Sequence, residues 1–448
     1  MLRAWERKQV MALIHRGNLA LAGFRGIGAW VLGIVATLGF SARPASSPVF
    51  VDEVYWIGSA YYFHLATGAR DLAHPDWRLL PARENPPLAK FVIGTSLAVS
   101  GQAVTTPDLL GAFYRLFEGT PGAWGGEADQ AKRRAVVSRM TVEGQNAIIT
   151  SGRVTLPANL LQPARMGMVT CIFFASLALF LIGRELVGAI PALLASICLP
   201  LHPIASEALN HALSDAPAMM FSIGATGLLA VCLRAEARGH VSRGRRGVLA
   251  FSAGAAAGLA CATKMNALVI LPVAAAGFGF LFVRAFRSAG FRASSPLLLS
   301  GIFTSAACMV FLAVNPALYG DWWSGVQATV EEHRITGRIQ ASFLQGNLET
   351  VPERLGAVGL ILASNRWACV PLLAAALLLL SSSFMRHRFV AVWWLASWLL
   401  VSIWIPFAWL RYAAPMLAPS MLLLAAFADW LISRRRAVTG FPGSRGQA

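Results

Sequence analysis

The sequence predicts an all-α integral membrane protein, a multispan helical bundle of about ten transmembrane helices with a long external first loop carrying surface helices. Three observations support this class. Of the 448 residues, 56% are apolar and 13% are charged, and the mean hydropathy is +0.59. A soluble domain contains about 25% charged residues, so this chain lacks the polar surface to enclose its core in water. The basic residues, which give a net charge of +17, stand in short clusters between apolar runs, which indicates topology determinants rather than nucleic-acid binding.

A helix needs about 20 apolar residues to cross the hydrocarbon core of a bilayer. The first apolar segment follows a basic N-terminal stretch, is too long for the apolar part of a signal peptide, and has no clear cleavage site. We therefore interpret it as an uncleaved anchor. The predicted spans are residues 26–42, 166–183, 187–203, 215–233, 248–263, 266–283, 296–314, 367–384, 390–408 and 412–432.

The distribution of positive charge predicts the orientation. The basic linkers and tail are residues 234–247, 284–292, 386–388 and 434–436. Short loops rich in Lys and Arg remain in the cytoplasm. These segments all reach that side, together with the N-terminus, only if residues 86–101 lie in the membrane surface without crossing. We predict a plasma (inner) membrane protein with both termini cytoplasmic and with residues 43–165 and 316–366 as external loops.

This topology brings the polar residues that lie near the ends of the predicted spans to the external side. Ionisable groups at membrane depth are costly and indicate a functional site. The candidate residues are Asp52, Glu53, Glu84, Asn85, Pro87, Lys90, Arg165, His202, Glu207, His211, Asp215, Lys264, Arg411 and Tyr412.

Two features of this set have competing interpretations. Asp52 and Glu53 follow the first span, where an acidic residue either caps the next helix or acts as a general base toward an acceptor hydroxyl. Lys90 and Lys264 stand out because arginine supplies nearly all of the positive charge. They either extend their ammonium groups to the membrane interface or hold a lipid phosphate.

Other chemistries have weaker support in the sequence. Glu207 and His211 are four residues apart and share one face of a helix, which leaves a metal site open, although no HExxH pattern is present. No GxxxxGK[ST], Asp-x-Asp or glycine-rich strand-to-helix turn indicates a nucleotide-binding domain. The six cysteines lie in apolar segments without a CxxC, which argues against a disulfide framework or a structural zinc site.

Six stretches carry a resemblance to a known family. They are VDEVYWIGSAYYFHLATG, ENPPLAKFVIG, ARMGMVTCIFFASLALFLIGREL, HPIASEALNHALSDAP, GLACATKMNAL and RYAAPMLAPSMLLL. Their order resembles that of the GT-C membrane glycosyltransferases, in particular the protein O-mannosyltransferases and the aminoarabinose and galacturonic-acid transferases that modify lipid A. The similarity covers roughly residues 26–290, and a weaker similarity is present at the last span.

The resemblance implies an inverting transfer of a sugar from a polyprenyl phosphate to an acceptor hydroxyl on the external face. It implies catalytic roles for Asp52 and Glu53 and contact with the donor phosphate by Lys90, Arg165, Lys264 and Arg411. The substrate-binding residues that it implies are Glu84, Asn85, Pro87, His202, Glu207, His211, Asp215 and Tyr412. Fixed cations can stabilise a monophosphate leaving group, so no cofactor is required, and a divalent metal remains open.

The same reading assigns the partners and the organisation of the chain. The donor is a polyprenyl-phosphate sugar, and the acceptor is a lipid, a protein or a wall glycan. Residues 1–315 form the catalytic transmembrane module, 316–366 the second external loop, and 367–448 the C-terminal helices and tail. A glycan transporter or flippase is the alternative, as is a polymerase or ligase. Transporters show inverted repeats and polar sites near the midplane, whereas here the polar residues gather at one face.

Overall fold

The computed structural model describes residue 28 and residues 30–438, except 45, 117–155, 239–240, 290–294, 332–347, 349, 366, 383 and 406–409. Every regular element in that part of the chain is a helix, as the sequence predicts. A large part of the predicted first external loop and of the second lies outside the described residues.

Short helices form the N-terminal part. They are α1 (Trp30–Ser41), α2 (Val51–Gly58), α3 (Tyr61–Thr67), α4 (Leu80–Glu84), α5 (Leu88–Val99) and α6 (Asp108–Leu116). Prolines mark several of their boundaries: Pro75 begins a 3₁₀ turn, Pro81 lies in the first turn of α4, and Pro87 caps α5. Proline suits these positions because a helix start leaves its N–H groups unpaired.

The segment predicted to rest in the membrane surface, 86–101, contains α5. One face of α5 is buried in the protein through Ala89, Ile93 and Leu97. At Gly94 a Cβ atom would overlap the ring of Phe63, so α5 packs closely against α3. That this helix does not cross the membrane stays a prediction.

Longer helices form the bundle. They are α7 (Ala158–Leu186), α8 (Ala189–Cys198), α9 (Pro203–Asn210), α10 (Asp215–Arg238), α11 (Arg243–Cys261), α12 (Ile270–Ala289), α13 (Ser295–Ala313), α14 (Val351–Ala363), α15 (Cys369–Leu380), α16 (Met385–Trp404) and α17 (Ala414–Val438).

Among the described residues, five helical segments are long and apolar enough to cross a membrane. They are Ala158–Leu186, Asp215–Arg238, Met265–Arg287, Ser295–Ala313 and Leu410–Arg434. They coincide with five of the predicted spans. Four other predicted spans are helical in their described parts, at Trp30–Ser41, Arg243–Cys261, Cys369–Leu380 and Met385–Trp404. These four are shorter or carry basic residues, and the total of about ten spans stays a prediction.

The predicted span 187–203 contains the helical segment Ala189–Leu201, which is followed by Pro203–Asn210 after a bend of 55°. That this segment crosses the membrane stays a prediction. The bend arises because His202 is extended and Pro203 begins a new helix. The helical segment therefore continues beyond residue 203, and its second part, α9, carries Glu207.

Close helix contacts hold the bundle together. Gly254 and Gly258 of α11 face the backbone of α13, where a Cβ atom on either would overlap the carbonyl oxygen of Phe303 or Ala307. Small residues at this spacing allow two helix backbones to approach closely in a membrane. The GxxxG pair is therefore a packing feature and not part of the polar site.

Candidate active site

An ion pair joins the start of α2 to the turn before α17. Asp52 lies in the first turn of α2, and Arg411 lies in the 3₁₀ turn Leu410–Ala413. Arg411 Nη1 donates a hydrogen bond of 2.6 Å to Asp52 Oδ2, and the two side chains are 19% and 28% exposed. The guanidinium also lies 5.8 Å and 6.0 Å from the ring centroids of Phe50 and Tyr412. The predicted base and a predicted phosphate-binding cation are direct partners.

A second ion pair, between Arg165 and Glu53, is fully buried. Arg165 of α7 binds Glu53 through two parallel hydrogen bonds, Nε to Oε1 at 2.7 Å and Nη2 to Oε2 at 2.6 Å. Both side chains are 0% exposed. Glu53 also accepts from the backbone N–H groups of Phe50 at 2.9 Å and Ala212 at 2.8 Å. Such charge-assisted bidentate contacts are among the strongest hydrogen bonds in proteins.

The remaining N–H groups of Arg165 bind the segment that leads into α2. Nη1 donates to the carbonyl oxygens of Pro44 at 2.6 Å and Ser47 at 2.8 Å, and Nη2 donates to that of Pro48 at 2.9 Å. A guanidinium has five N–H donors, and all five are engaged. Arg165 and Glu53 therefore fix the backbone on which Asp52 stands. Neither side chain is exposed, and their predicted roles in phosphate contact and catalysis stay predictions.

Lys90 is likewise enclosed. Its side chain is 0% exposed, and Nζ donates to the carbonyl oxygens of Pro81 and, at 2.7 Å, Asn85. The ammonium also lies 5.2 Å from the centroid of the Tyr62 ring. Lys90 thus joins α4 to α5 from within the protein, and its predicted contact with the donor phosphate stays a prediction.

The corner between α4 and α5 is completed by a tyrosine. Tyr55 of α2 donates to the Pro81 carbonyl at 3.2 Å and accepts from Asn85 Nδ2 at 3.3 Å. Glu84 is the last residue of α4 and Pro87 the residue that caps α5. The predicted substrate residues of this stretch therefore lie at a rigid corner that faces α2.

Two tyrosines of α3 brace the same region. Tyr61 donates to Asp76 Oδ2 at 2.9 Å, and Tyr62 donates to the Asp76 carbonyl oxygen at 3.1 Å. Burial raises the pKa of both hydroxyls well above the ordinary tyrosine range, and the charge of Asp76 adds to the effect. Both tyrosines therefore stay protonated hydrogen-bond donors.

A third acid–base pair lies between α10 and the turn after α11. Lys264 Nζ donates to Asp215 Oδ1 at 2.6 Å, with side chains 16% and 3% exposed. Asp215 is the first residue of α10, where a negative charge interacts favourably with the helix dipole. The backbone N–H of Leu88 donates to the Ala262 carbonyl at 2.9 Å, which ties the Pro87 corner to the turn that carries Lys264.

Glu207 is half-buried on α9, which packs against the turn that carries Arg411 and against α10, which begins at Asp215. The His211 ring nitrogen Nδ1 lies 3.2 Å from the Glu207 carbonyl oxygen. The end of α9 and the residue that follows it therefore contribute a carboxylate and an imidazole to this region.

His202 stands apart from this cluster. Its Nδ1 accepts from the backbone N–H of Ile204 at 3.3 Å, and Nε2 lies 3.1 Å from the carbonyl oxygen of Leu362. It caps α9 and contacts α14. The described part of the chain contains no group of three or more His, Cys, Asp or Glu side chains arranged to hold a metal ion. The metal site that the sequence left open therefore has no ligand set there.

The structure thus gathers the predicted residues into two layers. The partly exposed layer contains Asp52, Glu207, His211, Lys264 and Arg411. The buried layer contains Glu53, Lys90, Arg165, Asp215 and Tyr412. Sequence reasoning missed the role of Phe50, whose ring lies between Arg411 and His211 at 5.8 Å and 5.9 Å. A lone aromatic residue at a span end resembles any interfacial aromatic, so no local signal distinguished it.

Comparisons with known proteins find similarity in structure only. No model of a known protein family matches the chain, and no curated protein sequence matches it. ArnT from Cupriavidus metallidurans in the apo state aligns with a TM-score of 0.53 and 15% identity, over 94% of this chain and 63% of that one. The same ArnT bound to undecaprenyl phosphate aligns with a TM-score of 0.47 and 15% identity, over 93% and 60%.

A third structure is the archaeal oligosaccharyltransferase AglB from Archaeoglobus fulgidus, in complex with an inhibitory peptide and a dolichol-phosphate. It aligns with a TM-score of 0.51 and 12% identity, over 95% of this chain and 53% of that one. The chain therefore spans less than two thirds of the length of these proteins, all of which are GT-C glycosyltransferases. The similarity extends over nearly all of the present chain, which shares the fold of ArnT in the apo state and of AglB.

Proposed function

We propose that this protein is an inverting glycosyltransferase that moves a sugar from a polyprenyl-phosphate donor to an acceptor hydroxyl on the external face of the plasma membrane. The observation that carries the proposal is the convergence of Asp52, Glu207, Asp215, Lys264 and Arg411. These residues come from separate helices and turns, yet two ion pairs of 2.6 Å, and the packing of α9 against α10 and against the turn Leu410–Ala413, bring them together.

The fold supports the class of donor. AglB, which shares the fold, has been solved with a dolichol-phosphate, a lipid monophosphate of the kind the proposed donor releases. In this chain, partly exposed cations lie at the ends of helices that are apolar enough to cross a membrane. A lipid phosphate must lie at the same depth, because its tail enters the hydrocarbon core.

The proposed reaction is a single displacement. The acceptor oxygen forms a bond to the anomeric carbon, and the bond from that carbon to the phosphate oxygen breaks with its electron pair remaining on the phosphate. Asp52 takes the hydroxyl proton as general base. Arg411 and Lys264 stabilise the charge that develops on the leaving phosphate.

The buried residues have a different proposed role. Glu53, Arg165 and Lys90 are positioning residues, since their polar atoms bind the protein itself. Glu207, His211, Asp215 and Tyr412 face the region where sugar and acceptor meet, and Glu84, Asn85 and Pro87 form its rigid corner. We propose that residues 1–315 constitute the catalytic module and that loops 102–165 and 316–366 select the acceptor.

A deletion strain tests the proposal. Loss of the protein should cause the lipid-linked sugar that it consumes to accumulate, and mass spectrometry of extracted polyprenyl-phosphate lipids would identify that sugar. Wild-type protein should remove the accumulation. Asp52→Asn, produced at equal level, should not, because loss of a general base lowers transfer by about 10²–10⁴.

Variants of Lys264 test the proposed role of this cation in transfer. Purified Lys264→Ala should transfer the identified sugar about 10²–10³ times more slowly than wild type, the range for removing one preorganised donor of this kind, and Lys264→Arg should recover part of the rate. An unchanged lipid profile in the deletion strain, or full activity of Asp52→Asn, would overturn the proposed function.

A further inference from the structure

Both partly exposed cations of the site are already paired with carboxylates. Arg411 binds Asp52 and Lys264 binds Asp215, each at 2.6 Å. Under the proposed function, a phosphate must obtain these cations as its counter-ions. The anion that arrives therefore competes with carboxylates that belong to the protein.

The two pairs differ in how readily they can open. Asp215 is 3% exposed, and removing its partner would leave a nearly buried carboxylate without a counter-ion, which is costly. Asp52 is 28% exposed, so water or an acceptor hydroxyl can solvate it once Arg411 leaves. The Arg411–Asp52 pair is the one that can exchange partners.

The surroundings of Arg411 favour such an exchange. Its guanidinium lies near the faces of Phe50 and Tyr412, and aromatic faces attract a cation whichever anion it pairs with. Asp52 is held independently, because the backbone before it is fixed by Glu53 and Arg165. The guanidinium can thus change its partner while the carboxylate keeps its place.

We infer that the donor phosphate takes Arg411 from Asp52, so that donor binding itself releases the catalytic base. The inference rests on the proposed function and adds an order to it. In the empty protein Asp52 Oδ2 accepts a hydrogen bond from Arg411, and the exchange frees that oxygen of its cation. Donor binding thereby makes Asp52 Oδ2 available to the acceptor hydroxyl once the leaving group is in place.

Binding of polyprenyl monophosphate to the full-length protein in lipid nanodiscs tests this exchange, with the corresponding polyprenol as the phosphate-free control. Asp52→Asn removes the competing carboxylate. It should bind polyprenyl monophosphate about three- to fivefold more tightly than wild type, the gain expected from relieving a partly exposed ion pair. Asp52→Ser serves as a second variant if the first does not fold.

Glu185→Gln is the matched control. Glu185 is 47% exposed, and its ion pair with Arg234, at 3.0 Å, involves no residue of the candidate site. Removing its charge changes only the general electrostatic field, so affinity should change about twofold or less under screening by salt. A gain in Asp52→Asn no larger than that in Glu185→Gln would overturn the exchange.

A double-mutant cycle separates exchange from a guanidinium that bridges both anions. Arg411→Gln should weaken binding more in the Asp52→Asn background than in wild type, because there Arg411 no longer has to leave a carboxylate. Equal or smaller loss in that background would contradict the inference. If wild type binds polyprenyl monophosphate no better than polyprenol, the proposed function itself fails.

Discussion

At the scale of single residues, the two adjacent acids of the site have opposite environments. Asp52 is partly exposed beside one cation, whereas Glu53 is enclosed and accepts four hydrogen bonds from Arg165, Phe50 and Ala212. The hydrogen bonds of Glu53 stabilise the fold, whereas the partly exposed carboxylate of Asp52 is accessible to a substrate.

Glu53→Gln should therefore destabilise the protein far more than Asp52→Asn does. Breaking a buried ion pair by removing one partner costs about 3–5 kcal/mol, whereas the partly exposed Asp52 pair contributes about 1 kcal/mol or less. Melting temperatures of the two purified variants in one detergent would show the difference. Equal melting temperatures would contradict a structural role for Glu53.

Arg165→Lys should also lower stability, although it keeps the charge. Lysine has three N–H donors in place of five, so buried carbonyl oxygens among Pro44, Ser47 and Pro48 would lose their partners, at about 1–3 kcal/mol. Arg184→Lys on the same helix is the control, because its side chain is 39% exposed and its ion pair spans 4.0 Å. The melting temperature should fall only for Arg165→Lys, and loss in both variants would point to a general intolerance of α7.

At the scale of helices, close packing between α11 and α13 keeps the turn with Lys264 in place. Gly254 faces the carbonyl oxygen of Phe303 and Gly258 that of Ala307. The turn that follows α11 carries Lys264, so a shift of α11 would move the cation away from Asp215.

Gly254→Ala should therefore lower the melting temperature and weaken donor use together. Overpacking of this kind costs about 1–3 kcal/mol, and the backbone oxygen of Phe303 cannot turn aside. Gly301→Ala on α13 is the control, because a Cβ there meets nothing within 4 Å and alanine favours a helix over glycine by about 0.5–1 kcal/mol. If both variants melt alike, α11 and α13 do not approach as described.

At the scale of the whole molecule, the topology depends on one helix. Single cysteines at Ala73 and Thr105, in a protein without native cysteines, flank α5 and both occupy exposed positions. If α5 does not cross, both should react with an impermeant maleimide in intact cells. Gly244→Cys, in a basic linker predicted to be cytoplasmic, should react only after the cells are opened. Labelling of Ala73→Cys without Thr105→Cys would mean that α5 crosses.

The sequence by itself determined the helical class and most of the apolar segments, because hydropathy and charge clusters are properties of neighbouring residues. It also pointed to Asp52, Lys264 and Arg411, since ionisable residues at the ends of apolar runs are rare enough to notice. Pro203 is a sequence signal for the bend at His202-Pro203. The apolar residues on its N-terminal side nevertheless favour the interpretation of one continuous span.

Only the tertiary structure decided which acid pairs with which base. Asp52 and Arg411 are 359 residues apart, and Glu53 and Arg165 are 112 apart. It alone separated the buried Lys90 and Arg165 from the partly exposed Lys264 and Arg411. In the sequence, two lysines or two arginines cannot be told apart. Burial and hydrogen-bond partners decide whether such a cation stabilises the fold or is accessible to a ligand, and both arise only when distant helices pack together.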